Sequence, residues 1–405
     1  MDKTRLKYSC CLMAAIFFIC GCASAPRHAI PRDSLGSARV YGMHDIRAVS
    51  GIPSDSIKND FAKLLEREKK EGGFFFNSAG KQVFYMLAIS GGGDKGAYGA
   101  GLLKGWSQSG TRPDFKIVTG ISTGAIIAPL AFLGSKYDNE LEEFYTKYST
   151  KDIMRTPFPL IRFFFSNSVA RTDPLERLIE RYFDAEMLRQ IAVEHNKGRR
   201  LYVGTTNLDA QRLVIWDMGK IASIGDDKSM KLFHKIILAS ASLPVAFPPV
   251  YLDVEAGGEI YDEMHVDGGI TRQVFFLYDV LQGFDKAVKE KTPDVSRIKY
   301  AIYVIRNGYV DPIYKQVPDK LFAIAERAVD TAINAQGVGN LYELYIFTKN
   351  NGGDFNLAYI PATYISQAKE FFDPVEMKKL FLLGFEEASQ GYKWKKLPPG
   401  LENMR

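Results

Sequence analysis

The sequence predicts a three-layer α/β/α domain on a central, mostly parallel sheet, and two consecutive strand–loop–helix units carry that prediction. In the first, Val83–Ser90 reads as a buried strand, Gly91-Gly92-Gly93-Asp94-Lys95-Gly96 as a loop, and Ala97–Ser109 as a helix rich in small and apolar residues. In the second, Phe115–Thr119 is a strand, Gly120-Ile121-Ser122-Thr123-Gly124 a sharp turn, and a helix continues through Leu133. Such a succession calls for parallel strands joined by a right-handed crossover. Both loops then fall at the carboxyl ends of the strands, where helix N-termini point inward and binding sites form.

Further along, Arg200–Thr206, Leu213–Asp217 and Tyr261–Val266 read as strands, and His234–Ser242 as a helix stopped by Pro244. Lys299–Arg306 is another buried strand. The pattern then predicts a helix over Leu321–Asn340, a strand over Leu344–Lys349 and a helix over Pro374–Gln390. The doubled glycines at 257–258 and 352–353 read as turns. From Ala23 to about Gly80 the chain is polar and broken by Pro26, Pro31, Pro53 and Gly72-Gly73, with one helical candidate at Phe61–Lys70. The resulting division is a signal peptide at 1–21, a linker or extension at 22–82, a core at 83–285 and the C-terminal part of the same domain at 286–405.

The 405 residues are 46% hydrophobic, enough for a substantial core. A net charge of +5, part of it from Lys3, Arg5 and Lys7, gives no footing for a nucleic-acid partner. All four cysteines, Cys10, Cys11, Cys20 and Cys22, precede residue 23, so the body of the protein has no disulfide, cysteine nucleophile or cysteine metal site. They sit in a segment with a basic start and an apolar run from Leu12 to Ile19, which is signal-peptide anatomy and too short for a comfortable membrane span. Ile19-Cys20-Gly21-Cys22 resembles a bacterial lipobox, which implies cleavage before Cys22 and a lipid anchor on it. Ala23, in place of the aspartate that retains many such lipoproteins at the inner membrane, points to the periplasmic side of the outer membrane.

Ser122 lies in G-x-S-x-G between a strand and a helix, the setting of a nucleophile elbow, with Gly120 and Gly124 relieving crowding at the turn. Residues 91–96 also satisfy G-x-G-x-x-G. A dinucleotide site would need an acidic residue closing the second strand, which ends instead in Val118-Thr119-Gly120, and no Gly-Lys-Ser/Thr ending makes a phosphate loop. Gly91, Gly92 and Gly93 can instead present backbone N–H groups to a developing oxyanion, with Lys95 and the following helix adding positive potential. A serine nucleophile needs a base, and none of His28, His44, His195, His234 and His265 has a context that marks it as one. His265 comes nearest, two residues before Asp267 on the same strand face.

Together, Gly91–Gly96, Gly120–Gly124 and Asp267-Gly268-Gly269 resemble the patatin-like phospholipase family, as do Ala239-Ser240-Ala241-Ser242-Leu243-Pro244 through Pro249 and Phe371-Phe372-Asp373-Pro374 through Phe385. The resemblance spans about Val83 to Ser389. It implies a Ser122–Asp267 dyad in place of a Ser-His-Asp triad, with Gly268 and Gly269 forming the turn that presents the aspartate. It further implies hydrolysis of lipid or phospholipid acyl esters at a membrane, with no metal and no cofactor. A carboxylesterase or thioesterase on soluble esters, and a non-catalytic lipid-binding envelope lipoprotein, are alternatives compatible with the same residues. The aromatic run Pro157–Phe165 is a candidate lid or core segment.

Overall fold

The computed structural model describes residues 27–52, 54, 59–60, 63, 67, 75–76, 82–155, 172–244, 246–276 and 299–401. The signal peptide, Cys22, the aromatic run and most of the helical candidate at Phe61–Lys70 lie outside the described residues.

The strands are β1 (Arg39–Val40), β2 (Arg47–Val49), β3 (Phe75–Phe76), β4 (Gln82–Ile89), β5 (Ile117–Ile121), β6 (Arg200–Asn207), β7 (Arg212–Asp217), β8 (Val250–Ala256), β9 (Glu259–Asp267), β10 (Lys299–Arg306) and β11 (Asp354–Tyr359). They join one sheet in the order β1-β8-β9-β6-β5-β4-β10-β11, with β3 on β4 and with β7 bridging β6 and β2. The run β6-β5-β4-β10-β11 is parallel throughout. Every residue of β5 and β6 is buried, as expected where both faces of a parallel sheet are covered. In β8 buried and exposed residues alternate, as on an antiparallel strand with one wet face.

The described helices are α1 (Gly96–Gln108), α2 (Thr123–Leu133), α3 (Asp138–Lys147), α4 (Thr150–Ile153), α5 (Asp173–Tyr182), α6 (Ala185–Asn196), α7 (Met218–Ile224), α8 (Asp227–Ser240), α9 (Leu321–Asn350) and α10 (Pro374–Ser389). All eleven residues of α2 are buried, which makes it the central helix of the larger core. A second apolar cluster forms where Leu341 and Leu344 of α9 meet Ile302, Val304, Phe355 and Leu357 of the sheet. Helix α8 begins at Asp227 rather than His234, because Asp226 and Ser229 close a capping box.

Two regions differ from the sequence reading. Leu344–Lys349 is not a strand but the last turns of α9, and the buried residues Leu341, Leu344 and Thr348 recur at helical spacing. The strand of that region is β11, whose Asp354 and Asn356 obscure its apolar character in the sequence. Within the stretch read as linker or extension, residues 27–52 join the sheet: β1 pairs with β8, and β2 with β7.

Candidate active site

Ser122 occupies the single step between β5 and α2 at φ 55° and ψ −125°, a left-handed conformation unusual for a residue with a side chain. The turn closes only with glycine on both sides. A Cβ at Gly120 would stand 2.2 Å from the Gly124 carbonyl oxygen, and one at Gly124 would stand 2.4 Å from that of Ile89. The Ser122 N–H donates to Ser240 Oγ at 3.0 Å, whose own hydroxyl donates to the Gly204 carbonyl at 2.7 Å. The strained elbow is thereby pinned to the end of α8 and to β6.

Register on β6 brings the aspartate to the serine. Ile121 of β5 pairs with Gly204, and Asp267 of β9 pairs with the next residue, Thr205. Because β7 holds the other edge of β6 over those residues, β5 and β9 occupy one edge in succession, and the residue after Ile121 meets Asp267. Ser122 Oγ donates to Asp267 Oδ2 at 2.6 Å. The Gly269 N–H donates to Oδ1 at 2.7 Å, and the Asp267 N–H donates to the Ser242 carbonyl at 2.9 Å. Gly268 fits beneath the turn because a Cβ there would lie 2.4 Å from the Gly204 carbonyl oxygen.

Asp267 is 3% exposed. Burial pushes its carboxyl up to about 7, against the opposing hydrogen bonds from Ser122 and the Gly269 amide. A carboxylate poised near neutrality and bonded directly to a serine hydroxyl has the properties of a general base. None of the five histidines hydrogen-bonds Ser122 or Asp267. His265 is fully buried, but its Nε2 faces Glu263 at 3.0 Å and its Nδ1 faces Thr205 Oγ1 at 2.9 Å, so it serves a separate network.

The glycine loop divides by residue. The Gly91 N–H donates to the Gln273 carbonyl at 3.0 Å, so its expected part in an oxyanion hole is ruled out by a bond already made. The Gly92 and Gly93 N–H groups donate to no described residue. Asn307 backs the loop: its N–H donates to Ser90 Oγ at 2.8 Å, and its Nδ2 donates to the Ser90 carbonyl at 2.9 Å. A Cβ at Gly92 would stand 1.9 Å from the Asn307 carbonyl oxygen, which fixes glycine at that position. Lys95 is 3.8 Å from Asp94 with its side chain 39% exposed, so much of its positive potential is neutralised or screened. The N-terminus of α2 contributes the more directed field.

Sequence reasoning finds the segment containing Ser240 and Ser242 without finding that it clamps both the elbow and the aspartate. It misses Asn307, Gln273 and Arg306 altogether, because none stands in a recognisable motif. A cleft of about 620 Å³ opens at the opposite, amino-terminal edge of the strands, lined by Asp114, Lys116, Lys136, Glu194, Lys197 and Arg199. Ser122 and Asp267 have no part in it.

Residues 87–279 match the family model described as patatin-like phospholipase. These residues carry a patatin-like phospholipase domain. Such a domain on this mixed α/β architecture supports a lipid acyl hydrolase. No curated protein matches the chain. Solved structures similar to this chain include VipD from Legionella pneumophila, at 13% identity and a TM-score of 0.37 over 78% of this chain and 69% of that one. Another is the type III effector protein ExoU, at 14% identity and a TM-score of 0.20 over 79% of this chain and 56% of that one.

Proposed function

We propose that the protein hydrolyses acyl esters of membrane lipids through a Ser122–Asp267 dyad, tethered to the bacterial cell envelope by a lipid on Cys22. The observation that carries the catalytic part is the 2.6 Å bond from Ser122 Oγ to a buried carboxylate, with no histidine between them. Asp267 takes the hydroxyl proton as Ser122 Oγ attacks the ester carbonyl carbon. The carbonyl oxygen becomes an oxyanion that the Gly92 and Gly93 amides hold. Collapse expels the alcohol portion of the lipid, which leaves with the proton from Asp267. Water then gives its proton to Asp267 and attacks the acyl-enzyme, and the proton returns to Ser122 as the fatty acid departs.

The tether rests on the sequence around Cys22, and the residue after it favours the periplasmic side of the outer membrane. No helix among the described residues is long and apolar enough to cross a membrane, so an acyl anchor would have to supply the attachment proposed here.

The test treats mature protein and Ser122→Ala with a fluorophosphonate while measuring fatty-acid release from phospholipid vesicles and from a short soluble ester. The dyad reading expects labelling and release in the wild type and neither in the variant. Faster release from vesicles than from the soluble ester identifies a lipid substrate, and the reverse identifies a soluble-ester hydrolase. An unlabelled, inactive wild type overturns the catalytic reading. Metabolic labelling with an alkyne fatty acid, lost in Cys22→Ala, tests the anchor.

A further inference from the structure

Arg306, the last residue of β10, is 4% exposed and among the described residues meets only neutral partners. Its Nη1 donates to Gln273 Oε1 at 2.9 Å and lies 3.5 Å from Ser90 Oγ, and its Nη2 donates to Asn334 Oδ1 of α9 at 3.2 Å. Its Nε is buried without a partner among the described residues. Burial alone pushes the guanidinium down to about 10, with no carboxylate opposing it. A buried cation with no counter-ion among the described residues is costly to desolvate, and an apolar side chain would fill the same space at lower cost. Helix α9 even makes room for it: a Cβ at Gly337 would stand 2.8 Å from Nη2.

The residue that Arg306 holds is a junction. Gln273 accepts the Gly91 N–H on its carbonyl at 3.0 Å, which anchors the oxyanion loop. Its Nε2 donates to the Gly269 carbonyl at 3.0 Å, and the Gly269 N–H in turn donates to Asp267 Oδ1 at 2.7 Å, which anchors the base turn. Its own N–H donates to Asn340 Oδ1 of α9 at 3.0 Å. The nucleophile is pinned elsewhere, by Ser240. The oxyanion loop and the base turn therefore meet at one residue: Gly91 bonds its backbone carbonyl, and Gly269 bonds its side-chain amide, whose orientation is set by Arg306.

We propose that Arg306 is a positioning residue for acyl transfer, holding Gln273 so that Gln273 fixes the oxyanion loop at Gly91 against the base turn at Gly269. The inference rests on the dyad and oxyanion-loop reading above. It also gives the part of the chain beyond the family match, β10 and α9, a role in catalysis. A shift of about 1 Å between such groups lowers turnover on the order of 100-fold. Substrate binding draws on other contacts, so the effect falls on kcat rather than KM.

The experiment compares wild type, Arg306→Met, Gln273→Leu, the double variant and Arg306→Lys for kcat and KM on a short soluble ester, fluorophosphonate labelling rate and melting temperature. The expected result is a fall of about 10- to 100-fold in kcat and labelling rate for each single variant, with KM within about twofold. The double variant should be no worse than the poorer single, since both break one chain of contacts. Arg306→Lys, which keeps a donor to Gln273, should recover part of the loss. Wild-type labelling and kcat in folded Arg306→Met overturn the proposal, as do losses that multiply in the double variant. If Arg306→Met does not fold, Gln273→Asn, too short to bridge Gly269 and Arg306 together, carries the same expectation and the same overturning result. A wild type that fails to label refutes the dyad itself, whereas a labelled wild type with unaffected variants refutes only the role of Arg306.

Discussion

Glu263 and Asp267 stand four residues apart on the same face of β9, both buried, and their surroundings push them in opposite directions. Burial raises Glu263 too, but a hydrogen bond from His265 and the charge and hydrogen bonds of Arg47 outweigh it and hold the carboxyl near 2. Arg47 meets it with both terminal nitrogens, at 2.5 and 2.9 Å, and stacks over Trp216. His265, lowered by burial and therefore neutral, donates from Nε2 to Glu263; its Nδ1 accepts from Thr205, whose oxygen accepts the Trp216 N–H. Among the described residues Asp267 meets no cation, only a hydroxyl and one amide, and sits at about 7. One carboxylate is neutralised to hold the sheet together, and the other is left under-solvated so that it can take a proton. What separates the two carboxylates on this strand is the company of His265 and Arg47.

Breaking each half should produce opposite losses. The largest effect is expected in Ser122→Ala and Asp267→Asn, which should lower fatty-acid release at least about 10³-fold. Asp267→Asn should do so while raising denaturant stability at pH 8, because a desolvated charge is removed. Arg47→Met should do the reverse: a loss of about 3–5 kcal/mol in stability from an uncompensated Glu263, with kcat per folded molecule within about twofold.

Next in size is the pH dependence. In the proposed dyad Asp267 acts as base only when ionised, so kcat/KM should rise through a limb near pH 7 and be about 100-fold lower at pH 5. In stability the two carboxylates carry opposite signs. Asp267, raised above its ordinary 3.8, keeps its proton in the native state while the unfolded chain loses it, so stability falls as pH rises from about 4 to 7. Glu263, depressed below 4.5, contributes stability that is present above that value and lost as pH falls toward 2. Urea titrations of Asp267→Asn and Glu263→Gln across pH 3–8 should each lack one of these slopes. The smallest effect is expected for Ser240→Ala, which strands the Ser122 N–H and the Gly204 carbonyl and should cost about 1–3 kcal/mol, with a modest fall in labelling rate.

The chemistry-bearing loops were legible in the sequence because each is a local pattern: glycines that a tight turn demands, a serine between strand and helix, an aspartate before two glycines. The parallel core was legible for the same reason, as strand and helix periods alternate from Val83 to Leu133. What escaped was the support, because hydrogen bonds between distant strands leave no local pattern. Gln273 reads as one polar residue after a turn, Arg306 as the end of an apolar strand, and Arg47 as a charge in a polar stretch. The run Leu344–Lys349 misled because Tyr, Ile, Phe and Thr favour strands locally, while packing against the sheet held it in the helix.

The clamp behind the oxyanion loop comes late in the chain. Ser90 is held by the Ile305 carbonyl and by Asn307, more than two hundred residues downstream. A nascent or truncated polypeptide that ends before residue 305 already contains Ser122, Asp267 and the Gln273 tie to Gly91, yet its glycine loop lacks the bonds from Ile305 and Asn307 to Ser90. At ordinary synthesis rates the interval between the nucleophile and its last support is roughly 10–40 s. Under the proposed mechanism full hydrolysis is expected only of a chain that reaches past Asn307, and a fragment made for study should include it.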